Sequence, residues 1–165
     1  MPETGLKTLM LTWALFGLGG CGGESPDDHH GHHHDHNHVH TAMHGGTLVE
    51  LGDHSHNLEF VLDKDSGTLG IYTFGGHAET FVRIKQPSIT LSLNDALGGA
   101  DHLELAAVAN EVTGESVGDT AYFSIQNDNL KGAASLSGKV NSVEIQGQVY
   151  SDVPFALNGH HGHTH

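Results

Sequence analysis

Leu58-Glu59-Phe60-Val61-Leu62-Asp63 is the stretch that decides the fold. Leu58, Phe60 and Leu62 alternate with Glu59, Val61 and Asp63, which puts the three large apolar side chains on one face of an extended strand. Working outward, the same period of two recurs. Ile89, Leu91 and Leu93 alternate with Thr90, Ser92 and Asn94. Leu103, Leu105 and Ala107 alternate with Glu104 and Ala106, and Ala121, Phe123 and Ile125 with Tyr122, Ser124 and Gln126. Val143, Ile145 and Val149 share a parity against Glu144, Gln146 and Gln148. Shorter runs at 47–51, 69–74 and 81–85 bring the expected strands to about eight.

Turn formers separate these runs: Gly52-Asp53, Asp65-Ser66-Gly67, Gly75-Gly76, Pro87, Gly98-Gly99, Gly114 and Gly132. Many short half-polar strands without a helical stretch predict an all-β fold, an antiparallel β-sandwich or small barrel. The alanine-rich run 103–110 is the place where a short helix competes. Tyr72, Phe74, Phe81, Phe123 and Tyr150 are expected in the core and on sheet faces.

The 165-residue length fits one domain. Twenty acidic side chains against 6 basic ones give a formal charge of −14, which argues against binding nucleic acid through its phosphates. One cysteine excludes an intrachain disulfide framework or a CxxC site. Composition then divides the chain. Residues 1–20 carry a ten-residue apolar run, Leu9–Leu18, too short to span ~30 Å of hydrocarbon and patterned like a secretory signal. Residues 21–45 are rich in His, Asp, Asn and Gly, with almost nothing to bury, and are expected to stay disordered without a ligand. Residues 46–157 hold nearly all the aliphatic and aromatic side chains, and 158–165 form a second histidine-rich tail.

Histidine is the strongest chemical signal, with 17 in the chain. His29, His30, His32, His33, His34, His36, His38 and His40 place eight imidazoles within twelve residues, interspersed with glycine, aspartate and asparagine. The irregular spacing argues against a purification tag. Dense imidazoles suit zinc, copper, nickel and cobalt, and Asp27, Asp28 and Asp35 add oxygen donors and negative charge. His160, His161, His163 and His165 repeat the pattern at the other end.

Within the domain, His54 and His56 stand at i and i+2, on one face if the strand is continuous to that point. Two imidazoles make half a metal site, and His44, His77, His102, Glu50 and Glu79 are the candidates to complete it. With a third histidine and an open position for water, such a site would be that of a zinc-dependent hydrolase. No residue stands out as its general base, so an enzyme is the lesser expectation. A β-module that binds a partner, with incidental histidines, is a further alternative.

Two lookalikes carry no chemistry. Gly114-Glu115-Ser116-Val117-Gly118 matches the nucleophile elbow, but a strand follows it rather than a helix. Asp63-Lys64-Asp65-Ser66-Gly67 begins like a calcium loop, yet its twelfth position is Phe74.

Leu18-Gly19-Gly20-Cys21 resembles a bacterial lipobox. That resemblance implies cleavage before Cys21, diacylglycerol on its thiol, and a lipoprotein held at the cell envelope facing the periplasm. Glycine rather than aspartate after Cys21 favours the outer membrane by analogy. His44-Gly45-Gly46-Thr47-Leu48-Val49-Glu50-Leu51-Gly52, with Leu58-Glu59-Phe60 and Leu69-Gly70-Ile71-Tyr72, is similar to a small β-domain of bacterial lipoproteins and to segments of periplasmic adaptors of heavy-metal efflux pumps. The likeness runs over residues 43–85. It implies envelope metal handling, with His44, His54, His56 and His77 as the positions to watch. A tether of about 24 residues has a reach of ~25–30 Å, enough to sample a metal transporter or efflux complex, the expected partner besides the membrane.

Overall fold

The alternating segments pair into one antiparallel sheet that curls almost into a barrel. The computed structural model describes residues 41–158. Among them, eight strands run in chain order: β1 (Thr47–Leu51), β2 (His56–Asp63), β3 (Thr68–Gly75), β4 (Ser88–Leu97), β5 (Ala100–Ala107), β6 (Tyr122–Gln126), β7 (Ser135–Ile145) and β8 (Gln148–Asn158). A single 3₁₀ turn, Asp128–Leu130, is the helical element among the described residues, and 103–107 is strand. No described helix is long and apolar enough to cross a membrane.

Around the sheet the order is β1-β2-β3-β6-β5-β4-β7-β8. The first three strands form a meander. The next three form a second meander laid down in reverse, so that β6 rather than β4 lies beside β3. The β7–β8 hairpin then packs on β4. The inward positions named from periodicity meet in one core: Leu58, Phe60, Ile89, Leu91, Leu103, Leu105, Phe123, Val143 and Ile145 are all buried there. β1 and β8, the two ends of the sheet, come together without a hydrogen-bonded ladder among the described residues. Side chains close this seam instead. Phe60 of β2 and Phe155 of β8 stack with centroids 4.9 Å apart, and His56 bonds Tyr150 across the same gap.

Two expectations need correction. Residues 81–85 form no strand, because this crossover from β3 to β4 pairs at isolated points with two different neighbours, Phe81 with Phe74 and Ile84 with Thr120. Phe81 is accordingly 45% exposed rather than core. Val143 to Val149 is not one strand. Gln146 and Gly147, with φ of 52° and 83°, make a two-residue turn that reverses the chain.

Both lookalikes are turns. Asp63 caps the β2–β3 hairpin: its Oδ2 accepts from the Ser66 hydroxyl at 2.6 Å and its Oδ1 from the Ser66 and Asp65 N–H groups, and these bonds, the hydroxyl's first, hold its carboxyl below the ordinary value. Residues 110–119 form a loop clipped by the Asn110–Glu115 and Ser116–Asp119 bridges.

Candidate functional site

Register places three polar or aromatic residues in a row on the outer face of the barrel. Glu59 of β2 faces Tyr72 of β3, which faces Tyr122 of β6. The tyrosine rings stack at 4.4 Å. Burial first, then the Tyr122 hydroxyl and the Glu59 carboxylate, raise the Tyr72 phenol above its ordinary value. Glu59 points away from the core, as its parity requires, yet its side chain is 0% exposed.

The cover over Glu59 is the segment His44-Gly45-Gly46. Glu59 Oε1 accepts the backbone N–H groups of His44 (2.7 Å) and Gly46 (3.0 Å), and Oε2 lies 2.8 Å from His44 Nδ1. Gly46 is required by this close approach, since a Cβ there would sit 2.2 Å from the Phe60 carbonyl oxygen. The His44 ring stacks on Tyr72 at 3.8 Å with an interplanar angle of 8°, and Phe81 and Phe74 flank it. An ionised carboxylate only accepts hydrogen bonds, so His44 Nδ1 is the donor of this pair, and in the matching neutral tautomer the lone pair lies on Nε2. A carboxylate fixing one ring nitrogen so that the other is presented is the arrangement that orients metal-binding histidines.

The remaining histidine candidates are dispersed. His54 sits in the β1–β2 turn with φ 54°, its Nδ1 2.9 Å from the exposed Glu50 carboxylate. His56 opens β2 and turns into the seam, its Nδ1 2.9 Å from the Tyr150 hydroxyl and its Nε2 3.4 Å from Gln146 Oε1. The continuous strand face that would align the two thus starts only at His56. His77 and Glu79 are exposed in the connection after β3. His102, exposed on β5, pairs with Asp101 at 2.7 Å, and that bond lowers the Asp101 carboxyl. Among the described residues, no three His, Cys, Asp or Glu side chains gather as a metal-binding group. Cys21, His29 to His40 and His160 to His165 lie outside the described residues.

No family model, curated protein or solved structure matches this chain. The candidate site therefore rests on its own geometry.

Beside the aromatic row lies a cavity of about 640 Å³ bordered by Tyr72, Phe81, Tyr122, Arg83 and Glu115. Two of its charged side chains, Arg83 and Glu115, have protein partners. Arg83 Nη1 donates to Asp119 at 3.1 Å, and Glu115 Oε1 accepts from the Ala121 N–H at 2.9 Å. Burial pushes the Glu115 carboxyl up. Hydrogen bonds from Thr113 and Ala121, the Arg83 charge and the Thr120 hydroxyl outweigh it and hold the group below its ordinary value.

Periodicity did not reveal the buried Glu59. An acid in an outward position reads as solvated, and only the tertiary placement of residues 44–46 covers it. The available signal was local: an acid inside Asn57-Leu58-Glu59-Phe60, and a Gly45-Gly46 pair directly after a histidine.

Proposed function

We propose that this is a lipid-anchored protein of the bacterial envelope that binds divalent transition ions through its histidine-rich segments, for metal buffering, delivery or efflux. The observation that carries the reading is the set of eight imidazoles at positions 29 to 40. Imidazole is a ligand for zinc, copper, nickel and cobalt, and loosely held imidazoles exchange ions readily. The barrel core supports the reading, since it is made of apolar side chains and needs no tract histidine to fold. The excess of acidic residues adds a field that attracts cations. Cys21 is the proposed lipidation site, fixing the domain to a membrane, with a metal transporter or efflux complex as partner.

Equilibrium dialysis against zinc, read by elemental analysis, tests the metal reading. A free imidazole titrates near ~6.5 and binds metal only when deprotonated. The chain is expected to hold several zinc ions at about pH 7.5 and to lose most of them by about pH 5, with its β-sheet dichroism unchanged. Equal occupancy at both values would assign the ions to carboxylates or to a tight preformed site instead. Mass spectrometry of the mature N-terminus decides the anchor: an unmodified Cys21 thiol removes it.

A further inference from the structure

We propose that the cavity beside the aromatic row binds a small soluble organic cation, a quaternary ammonium group seated against Tyr72, Phe81 and Tyr122 and beside Glu111. The proposal stands apart from the metal-binding reading, since it uses no histidine.

The walls supply rings. The volume, about 640 Å³, falls in the range of ~300–1,000 Å³ usual for small-molecule sites. Tyr72 and Tyr122 stack on one another, whereas Phe81 stands at 50° to Tyr72 with centroids 6.1 Å apart, so the rings meet as two walls of an open corner. Phe74 stacks on Phe81 at 4.7 Å, yet Phe81 is still 45% exposed. The face of an aromatic ring carries the negative part of its quadrupole and attracts a cation within about 6 Å of the centroid. A corner of this kind lets one cation approach two rings at once.

The charges select the sign of the ligand. Arg83 is the cation of the lining, and it is drawn to the wall: Nη1 donates to Asp119, Nη2 to the Thr113 carbonyl, and Nε lies 3.9 Å from Glu115. Glu115, held below its ordinary value, is ionised at neutral pH. Asp119 and Glu115 therefore more than balance the guanidinium. Glu111 adds a further carboxylate to the lining, exposed and with no partner among the described residues. An anionic ligand would meet this excess of carboxylates, and a neutral one would gain nothing from it. The same excess disfavours the phosphate that a phosphocholine lipid headgroup carries beside its ammonium, which assigns the site to a free cation.

The test titrates the full chain with choline, followed by proton NMR of the choline methyl groups. At ~0.15 M salt, where the Debye length is about 8 Å, diffuse attraction to the acidic chain is screened. The methyl signal is expected to move upfield, as protons over ring faces do, and to saturate at millimolar choline or below. The neutral alcohol in which carbon replaces the choline nitrogen has the same shape without the charge, and should bind several-fold more weakly. Phe81→Leu keeps the apolar bulk but removes the ring, and should weaken choline about fivefold. Glu111→Gln should weaken it about twofold. Both side chains are exposed, so neither change threatens the fold. The proposal falls if the methyl signal does not move upfield, if the neutral alcohol binds as well as choline, or if Phe81→Leu leaves the affinity unchanged. Phosphocholine is expected to bind more weakly than choline; equal or tighter binding would overturn the free-cation assignment in favour of a lipid headgroup.

Discussion

On β2 and β3, the inward positions carry Leu58, Phe60, Leu69 and Ile71, whereas the outward positions carry Glu59, Tyr72 and Phe74, and both sets are largely buried. Inside, every strand contributes an apolar side chain and the parts are interchangeable in kind. Outside, a carboxylate, an imidazole and three aromatic rings are each placed by a specific partner. The inner set is held by area removed from water, which has no preferred direction. The outer set depends on hydrogen bonds and ring geometry that a single substitution can undo. A sheet face can thus be covered twice, once to make the fold and once to orient a side chain.

The largest expected effect lies inside. Phe60→Ala removes a ring that also spans the seam, and should cost about 3–5 kcal/mol in urea unfolding. A loss below 1 kcal/mol would mean that Phe155 and its neighbours repack, and that the interior is less tightly specified than its burial suggests.

Glu59→Ala comes next, at about 2–3 kcal/mol, because three hydrogen bonds to a buried carboxylate disappear together. Its signature should be local. Amide exchange at His44 and Gly46 should accelerate while Leu91 and Leu105 in the core stay protected. Uniform loss of protection would erase the distinction between the two faces.

Most of the interior was legible in the sequence, and the reason is geometric. A strand with one buried face writes its orientation in alternate residues, as Ile89, Leu91, Leu103 and Leu105 do. β8 was missed because its alternation changes phase. Tyr150 is half-buried, as is Val153, while Phe155 and Leu157 are buried, and the phase shift falls at Asp152, where φ is 54°. The Gln146-Gly147 reversal was hidden because glutamine rather than asparagine or aspartate precedes the glycine. Of the outer site, His44 was named from sequence as a candidate ligand, whereas its partners Glu59 and Tyr72 were read only as strand positions, since their convergence depends on strand register and on where residues 44–46 fold back.

The smallest effect sharpens the comparison through pH. Glu115 belongs to the outer region, and its folded value is lowered. Its contribution should be complete above the ordinary value of 4.5 and should fade as pH falls through the lower folded value. Glu115→Gln should therefore cost about 1 kcal/mol near neutral pH and progressively less in acid, as followed by thermal unfolding across pH. A penalty independent of pH would show that the carboxylate's shape, not its charge, holds the 110–119 loop.

The seam between β1 and β8 has a further consequence, for life in a crowd. Strand edges with unpaired N–H and C=O groups are templates onto which another chain can add. Here the two edges face each other, bridged by the Phe60–Phe155 stack and the His56–Tyr150 bond, so each occupies the space that an intruding strand would need. Two such barrels brought together would therefore offer each other no open β1 or β8 edge onto which a strand could add.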